Sequence, residues 1–304
     1  MPKLDESIIR TLLYFDVFNY PLNKNEIEKH LGCEVSQPQF DQALQMLASA
    51  SYIKTSNNFY GINGSVSDTS IRIAANQKAV ERMPKAVRNA KLISKFPFIS
   101  AVCLSGTISK GVMDEEADID YFIITKPQRL WVAKSFLVLY KRIFLGNSRK
   151  NFCINYLISE EDLAIKEQNI FTAIETATLI PIKGCEVYNQ FIKTNNWVYN
   201  YQPNFKVVSA TKESTGTSKP WWSKILEFTF KGKLGEKLDL KMMNKVRKKY
   251  IQQYKGEFTD QEFELMFRSS RNQSKVHNSN HQMNVLNKYE QSVKDFLSKM
   301  ETAQ

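Results

Sequence analysis

The sequence predicts an α+β protein: a central sheet flanked by helices, a helical lobe before it and a helical region after it. Three observations carry this expectation. Apolar runs of strand length (Ile99 to Leu104, Ile119 to Ile124, Phe152 to Ile158) are separated by longer stretches of helical period. Residues 1–62 show only helical patterns and one short hairpin pattern, and beyond Pro220 the periodic stretches are helical. The divisions expected are a lobe at 1–64, a sheet domain at 65–203 and a helical region at 204–304, in keeping with about two domains for this length.

The 304 residues include 42 Lys plus Arg against 31 Asp plus Glu, a net charge of +11, which favours polyanionic partners. Hydrophobic residues at 42% and charged residues at 24% exclude a mainly disordered chain, and 11 Gly with 9 Pro exclude collagen-like repeats. No apolar run approaches the roughly 20 residues of a membrane span, and MPKLDESIIR has neither a signal core nor a transit pattern, so the expected location is the cytoplasm. Cys33, Cys103, Cys153 and Cys185 are widely spaced and are expected as free, buried thiols.

In the lobe, Ile8, Ile9, Leu12, Leu13 and Val17 share one helical face from about Glu6 to Val17. Pro21 and Leu22 break the chain. Asn23 with Glu26 caps a short helix ending near Gly32, and Ser36 with Gln39 repeats the device before Phe40, Ala43, Leu44 and Leu47. Tyr52 to Lys54, a turn at Ser56 to Asn58, and Phe59 to Ile62 form a hairpin. Three helices and a hairpin resemble a winged helix. Its third helix shows Gln37, Gln39, Gln42, Gln45 and Asp41, with no Lys or Arg between His30 and Lys54, and residues 1–62 carry a net charge of −2. Phosphate contacts supply most DNA affinity, so direct DNA binding is disfavoured and a packing or protein-interaction role is expected. The positive excess lies instead in 63–200, at +5, and 201–304, at +8.

The middle of the chain opens with a helix from about Ile71 to Phe96, interrupted at Pro84, and reaches the strand Ile99 to Leu104. Ser105, Gly106 and Thr107 follow at once. After an acidic loop with Asp114, Glu115 and Glu116 comes Asp118-Ile119-Asp120, leading a second apolar strand on which both carboxylates share one face. Glycine at such a turn lets backbone N–H groups approach phosphate, a following helix adds positive partial charge, and paired carboxylates suit a hard cation that bridges to phosphates.

The stretch LSGTISKG…ADIDYFIIT resembles the nucleotidyltransferase superfamily, with its polymerase-beta-like and minimal members. It is also similar to bacterial nucleotidyltransferase-domain proteins, some of which carry an N-terminal winged helix. The resemblance covers roughly residues 95–200 by motif, and it implies a mixed sheet and transfer of a nucleotidyl group from an NTP. It makes Asp118 and Asp120 the catalytic, Mg2+- or Mn2+-binding pair, and Ser105, Gly106, Thr107, Lys110 and Asn155 the nucleotide-binding residues. The acceptor (a small molecule, an RNA or a protein) is left open. Arg82, Arg88 and Arg129 are candidate phosphate contacts.

The superfamily usually adds a third carboxylate on the next strand, but Phe152 to Ile158 contains no acid, and Asn155 holds the plausible position. An amide cannot act as a base. Glu175, on a helix at about Gln168 to Leu179, is the candidate third acid. The alternatives are a substrate that supplies its own base, or a protein that binds nucleotide without transferring it.

Toward the C-terminus, Ser209 to Lys219 reads as a linker and Pro220-Trp221-Trp222 opens an aromatic segment. From Leu234 a helix carries Lys237, Lys241, Lys245, Lys248 and Lys255 as one stripe, broken by Gln252, and Leu234, Leu238, Met242, Val246 and Tyr250 as another. It could rest on an anionic surface, bind RNA, line the acceptor cleft, or be solvated. Thr259 with Glu262 caps a further helix, and Arg268, Arg271, Lys275, His277 and His281 form a basic cluster too poor in ligands for zinc. The C-terminal region is expected to pack over the active-site side.

Overall fold

In the computed structural model, the described residues are 3–62, 66–148, 150–207, 219–275 and 281–302. The mixed architecture expected from sequence is present, with two sheets and twelve α-helices among these residues. Helix α1 (Lys3–Asp16) turns Ile8, Ile9, Leu12 and Leu13 inward. Strand β1 (Leu22–Asn23) leads into α2 (Lys24–His30), whose cap is the reciprocal Asn23–Glu26 box. Before α3 (Gln37–Ser49), the Ser36 hydroxyl donates to the Gln39 side chain at 2.7 Å, so the second capping box does not form. Strands β2 (Lys54–Ser56) and β3 (Phe59–Gly61) reverse at Asn57 and Asn58, both at positive φ, as a two-residue hairpin of matching twist requires.

β1 pairs with β3, so the hairpin belongs to a three-stranded sheet in which β3 is the central strand. Reading Pro21-Leu22 as a mere break missed this strand, because two residues carry no period.

Helix α4 (Thr69–Ile93) runs through Pro84 without the expected interruption. Val80 and Pro84 both lie on its exposed side, where the carbonyl that loses its donor is open to water. Then follow β4 (Ile99–Ser105), the single turn α5 (Gly106–Ser109), β5 (Asp120–Thr125), α6 (Leu130–Phe144) and β6 (Cys153–Ser159). The chain continues through α7 (Ile170–Ala177), β7 (Ile180–Lys183), α8 (Cys185–Thr194) and a 3-10 helix, Asn196–Asn200. Last come α9 (Trp221–Thr229), α10 (Lys233–Gln253), α11 (Asp260–Met266), β8 (Gln273–Lys275) and α12 (His281–Thr302). The predicted linker, Ser209 to Lys219, lies outside the described residues except for Lys219.

The central sheet has the order β7-β4-β5-β6-β8, with β5 and β6 parallel and every other pair antiparallel. Alternation gives it two buried faces. Val102, Leu104, Tyr121, Ile123 and Leu157 pack with α4 and α6, and Ala101, Cys103, Phe122 and Ile124 pack with α7 and α8. All four cysteines are free, as expected, but only Cys103 and Cys185 are fully buried.

The stretch 204–304 is dispersed over the molecule instead of forming one cover over the Asp120 side. β8 extends the central sheet at β6, and α12 joins the lobe's core through Val285 and Val293. Helices α9 and α10 lie on α6, on the sheet face opposite Asp120. Two interactions set that position. Leu238, Met242 and Val246 pack into the α6 side of the core, and Asp239 accepts the Trp131 and Val132 backbone N–H groups at 2.8 and 2.9 Å, capping α6.

The lobe is fastened to α4 by Arg72. Its buried guanidinium donates to Glu26 at 2.6 Å, to the Tyr20 hydroxyl at 2.8 Å and to the Pro21 carbonyl at 3.2 Å. Nearby, His30 is buried against Phe15, with Nδ1 2.7 Å from Gln202 Oε1, and burial lowers its pKa to about 4. The unfolded chain takes up that proton near pH 6.5, so His30 supports the fold fully above that pH and progressively less as pH falls toward 4. Its share is about 3 kcal/mol. Denaturant titrations of wild type and His30→Asn should therefore differ in pH slope between about 6.5 and 4 and run parallel above it.

No helix among the described residues is long and apolar enough to cross a membrane.

Candidate active site

The site is built where β4 ends and β5 begins. Ser105 and Asp120 are paired directly across this antiparallel ladder, so their side chains leave the sheet on the same face. The Ser105 hydroxyl is buried and has no hydrogen-bond partner among the described residues. Gly106 follows at φ +70°, and a Cβ placed there would lie 2.5 Å from Asp120 Oδ2. Glycine thus serves two needs at once, the left-handed backbone and the space that the carboxylate fills.

Asp118 precedes the strand rather than lying in it. Ile119 between the two aspartates is fully buried toward α4 and α6, and the charge of Asp118 acts on Asp120. Arg82 donates to the Ala117 carbonyl at 3.0 Å and so holds the loop that delivers Asp118. Burial, followed by the charges of Asp118 and Glu175, pushes the Asp120 carboxyl up to about 6, while Lys110 and a hydrogen bond from the Cys153 thiol act against the rise.

Lys110 donates to the Gly106 carbonyl at 3.2 Å and to Glu175 Oε1 at 2.8 Å, which holds Glu175 of α7 within electrostatic range of Asp120. Thr107 is exposed at the mouth of the site. The helix that should open there is the single turn α5, too short for a substantial dipole, so any phosphate would depend on hydroxyls and Lys110 more than expected.

Asn155 is not opposite Asp120. The parallel ladder pairs Asp120 with Cys153 and Phe122 with Tyr156, leaving Asn155 as the extra residue of a bulge. Cys153 is the residue that sequence reasoning missed. It shares the parity of Asn155, so alternation alone could have proposed either.

Arg88 stands exposed on α4. Arg129 is turned away: its buried guanidinium donates to the carbonyls of Phe230 (2.7 Å), Lys231 and Gly232 (3.0 Å), tying the turn between α9 and α10 to the start of α6. It is a structural clasp and does not face the carboxylates.

Of the C-terminal basic cluster, Arg268 is paired with Glu167, and Arg271 with Glu236 at 2.7 Å. His277 lies outside the described residues, and the His281 ring packs against Phe18 and Phe171. Lys275 is different. It pairs with Tyr156 across β6 and β8, donates to Gln282 at 3.2 Å and lies within electrostatic range of Glu175; burial holds its ammonium below the usual lysine range.

These couplings have a measurable sign. Glu175→Gln removes a negative neighbour and should lower the Asp120 pKa, whereas Lys110→Gln removes a positive one and should raise it. Carboxyl-carbon NMR titration of the two variants in metal-free buffer should show shifts in these opposite directions.

Comparisons of the chain with protein-family models, with curated proteins and with solved structures return no match.

Proposed function

We propose that the protein transfers a nucleotidyl group from a nucleoside triphosphate to an acceptor: a small molecule, an RNA or a protein. The observation that carries this reading is the Ser105–Asp120 pair, an unpartnered buried hydroxyl beside a carboxylate that packs on a glycine at positive φ. The donor set suits Mg2+ or Mn2+. Asp118 and Asp120 would supply hard oxygens, and Asp120, raised to about 6 by burial first and then by the charges of Asp118 and Glu175, would be favoured in its ionised form by a cation. Among the described residues no three His, Cys, Asp or Glu converge as a self-sufficient metal site, so substrate oxygens would complete the shell, as Mg2+ commonly requires. When bound, the ion would polarise phosphate oxygens and offset the charge of departing pyrophosphate.

The chain's own groups divide the remaining work. Ser105 and Thr107 hydroxyls donate to phosphate oxygens, and Lys110 holds Glu175 beside the reacting groups. As the acceptor oxygen bonds to the α-phosphorus, its proton passes to Glu175 and the bond to pyrophosphate breaks. The mixed sheet, with antiparallel β4 and β5 and parallel β6, supports the nucleotidyltransferase resemblance. In the lobe, the order helix, strand, helix, helix, strand, strand supports the winged-helix one. Its α3 lacks Lys and Arg, so a DNA-reading role stays disfavoured.

One observation favours a second reading, nucleotide binding without transfer: β6 sets a thiol, and no carboxylate, next to Asp120. Calorimetric titration with each NTP tests the shared premise of both readings. Binding should require Mg2+ or Mn2+, Ser105→Ala should weaken it about five- to tenfold, and Asp118→Asn with Asp120→Asn should lose the metal dependence. Failure of every NTP to bind in the presence of either metal would remove the nucleotide site altogether.

A further inference from the structure

We infer that the outer face of α9 and the adjoining half of α10 form a docking surface for an anionic lipid bilayer. Trp221, Ile225 and Phe228 recur at helical spacing on α9 and are 74, 55 and 84% exposed. Large apolar side chains this open are seldom grouped on a monomer without a partner. Ring contacts Trp222–Phe96–Tyr140–Phe144 connect α9 through the core to the end of α6, where Phe144 is 68% exposed, and Leu234 in the first turn of α10 is 64% exposed.

Charge identifies the partner. Residues 219–255 contain eleven Lys and Arg against three acids. All three acids are engaged within the fold: Glu227 accepts from Lys219 and the Phe98 amide, Glu236 from Arg271, and Asp239 from the amides at the start of α6. Lys224, Lys231, Lys233, Lys237, Lys241 and Lys245 are exposed, and among the described residues no carboxylate pairs with them. Aromatic and aliphatic groups flanked by lysines, on a helical hairpin too polar to span, match the chemistry of an interface between acyl chains and anionic headgroups.

The surface lies on the sheet face opposite Asp120, so docking would leave the carboxylate site open to solvent, and the inference does not rest on nucleotidyl transfer. It also gives α10 a reason to carry like charges four residues apart, an arrangement that weakens an isolated helix.

Flotation of the full chain with vesicles tests it. The protein should rise with vesicles of equimolar phosphatidylglycerol and phosphatidylcholine, stay behind with phosphatidylcholine alone, and dissociate as salt is raised. Trp221→Ser with Phe228→Ser should cut partitioning at least about tenfold, and Lys224, Lys231, Lys233 and Lys237 all to Gln about 10^2-fold or more. Circular dichroism should be unchanged in both, because every substituted side chain is exposed. A blue shift of tryptophan emission on vesicle addition, lost in the Trp221 variant, would show insertion directly. Absence of flotation, flotation that ignores lipid charge, or a self-association abolished by the same substitutions while vesicles are ignored, would each overturn the inference. So would RNA binding through these lysines without vesicle binding.

Discussion

Asparagine at position 120 is expected to remove nucleotidyl transfer by about 10^3-fold or more and, at the same time, to make the metal-free protein more stable at neutral pH. The first effect follows from losing a cation-binding oxygen. The second follows from the carboxyl's pKa, which rises from 3.8 to about 6 because Asp120 is buried near Asp118 and Glu175. The folded state holds this proton more tightly than the unfolded chain does. Its stabilising contribution is therefore complete below about pH 4 and lost as pH rises through 6, so that at pH 7 the ionised group costs about 3 kcal/mol relative to a neutral isostere. In thermal melts the variant should exceed wild type at pH 7 and match it near pH 4. Adding Mg2+ should narrow the gap by raising wild type alone, since a ligand that binds only the native state stabilises it. His30 acts in the opposite sense over nearly the same pH range, so wild-type stability alone would conceal both. The single variants separate them.

Gly106→Ala should be the most damaging small change at the site. Alanine at φ +70° costs about 1–2 kcal/mol in backbone strain, and its Cβ would approach Asp120 Oδ2 to 2.5 Å, so the carboxylate must move. Displacing a catalytic group by about an ångström commonly costs about 10^2-fold in rate. Gly232→Ala is the matched control, because φ there is −89° and an added Cβ meets nothing. Parallel melting curves and transfer rates should show loss in the first variant and little change in the second.

Much of the architecture was legible where a pattern runs long enough to have a period. The apolar face of α1, the capped starts of α2 and α11, and the strand-turn-aspartate spacing of the site are all local properties of the chain. β1 and β8 were not legible, since Leu22–Asn23 and Gln273–Lys275 are strands only through the neighbours they pair with. The same limit explains Cys153 and Asn155. Which of them meets Asp120 depends on the register of a parallel pair and on a bulge, neither of which alternation encodes. Arg129 read as a phosphate contact from its place after a strand, but its orientation is decided by carbonyls about a hundred residues later. The net charge of +11 pointed to a polyanion, yet the basic stripe of α10 lies across the sheet from the carboxylates. That separation divides one electrostatic expectation into two surfaces, the small phosphate site proposed at Ser105 and Lys110 and a broad basic face on α9 and α10.

The most direct test of the central claim is pyrophosphate release, measured for each NTP with Mg2+ or Mn2+ against candidate small-molecule, RNA and protein acceptors. Wild type should release pyrophosphate as label from the α-phosphate enters one acceptor class, and Asp118→Asn with Asp120→Asn should do neither. Tight, metal-dependent NTP binding with release no greater than that of the double variant would contradict transfer and leave a nucleotide-binding protein.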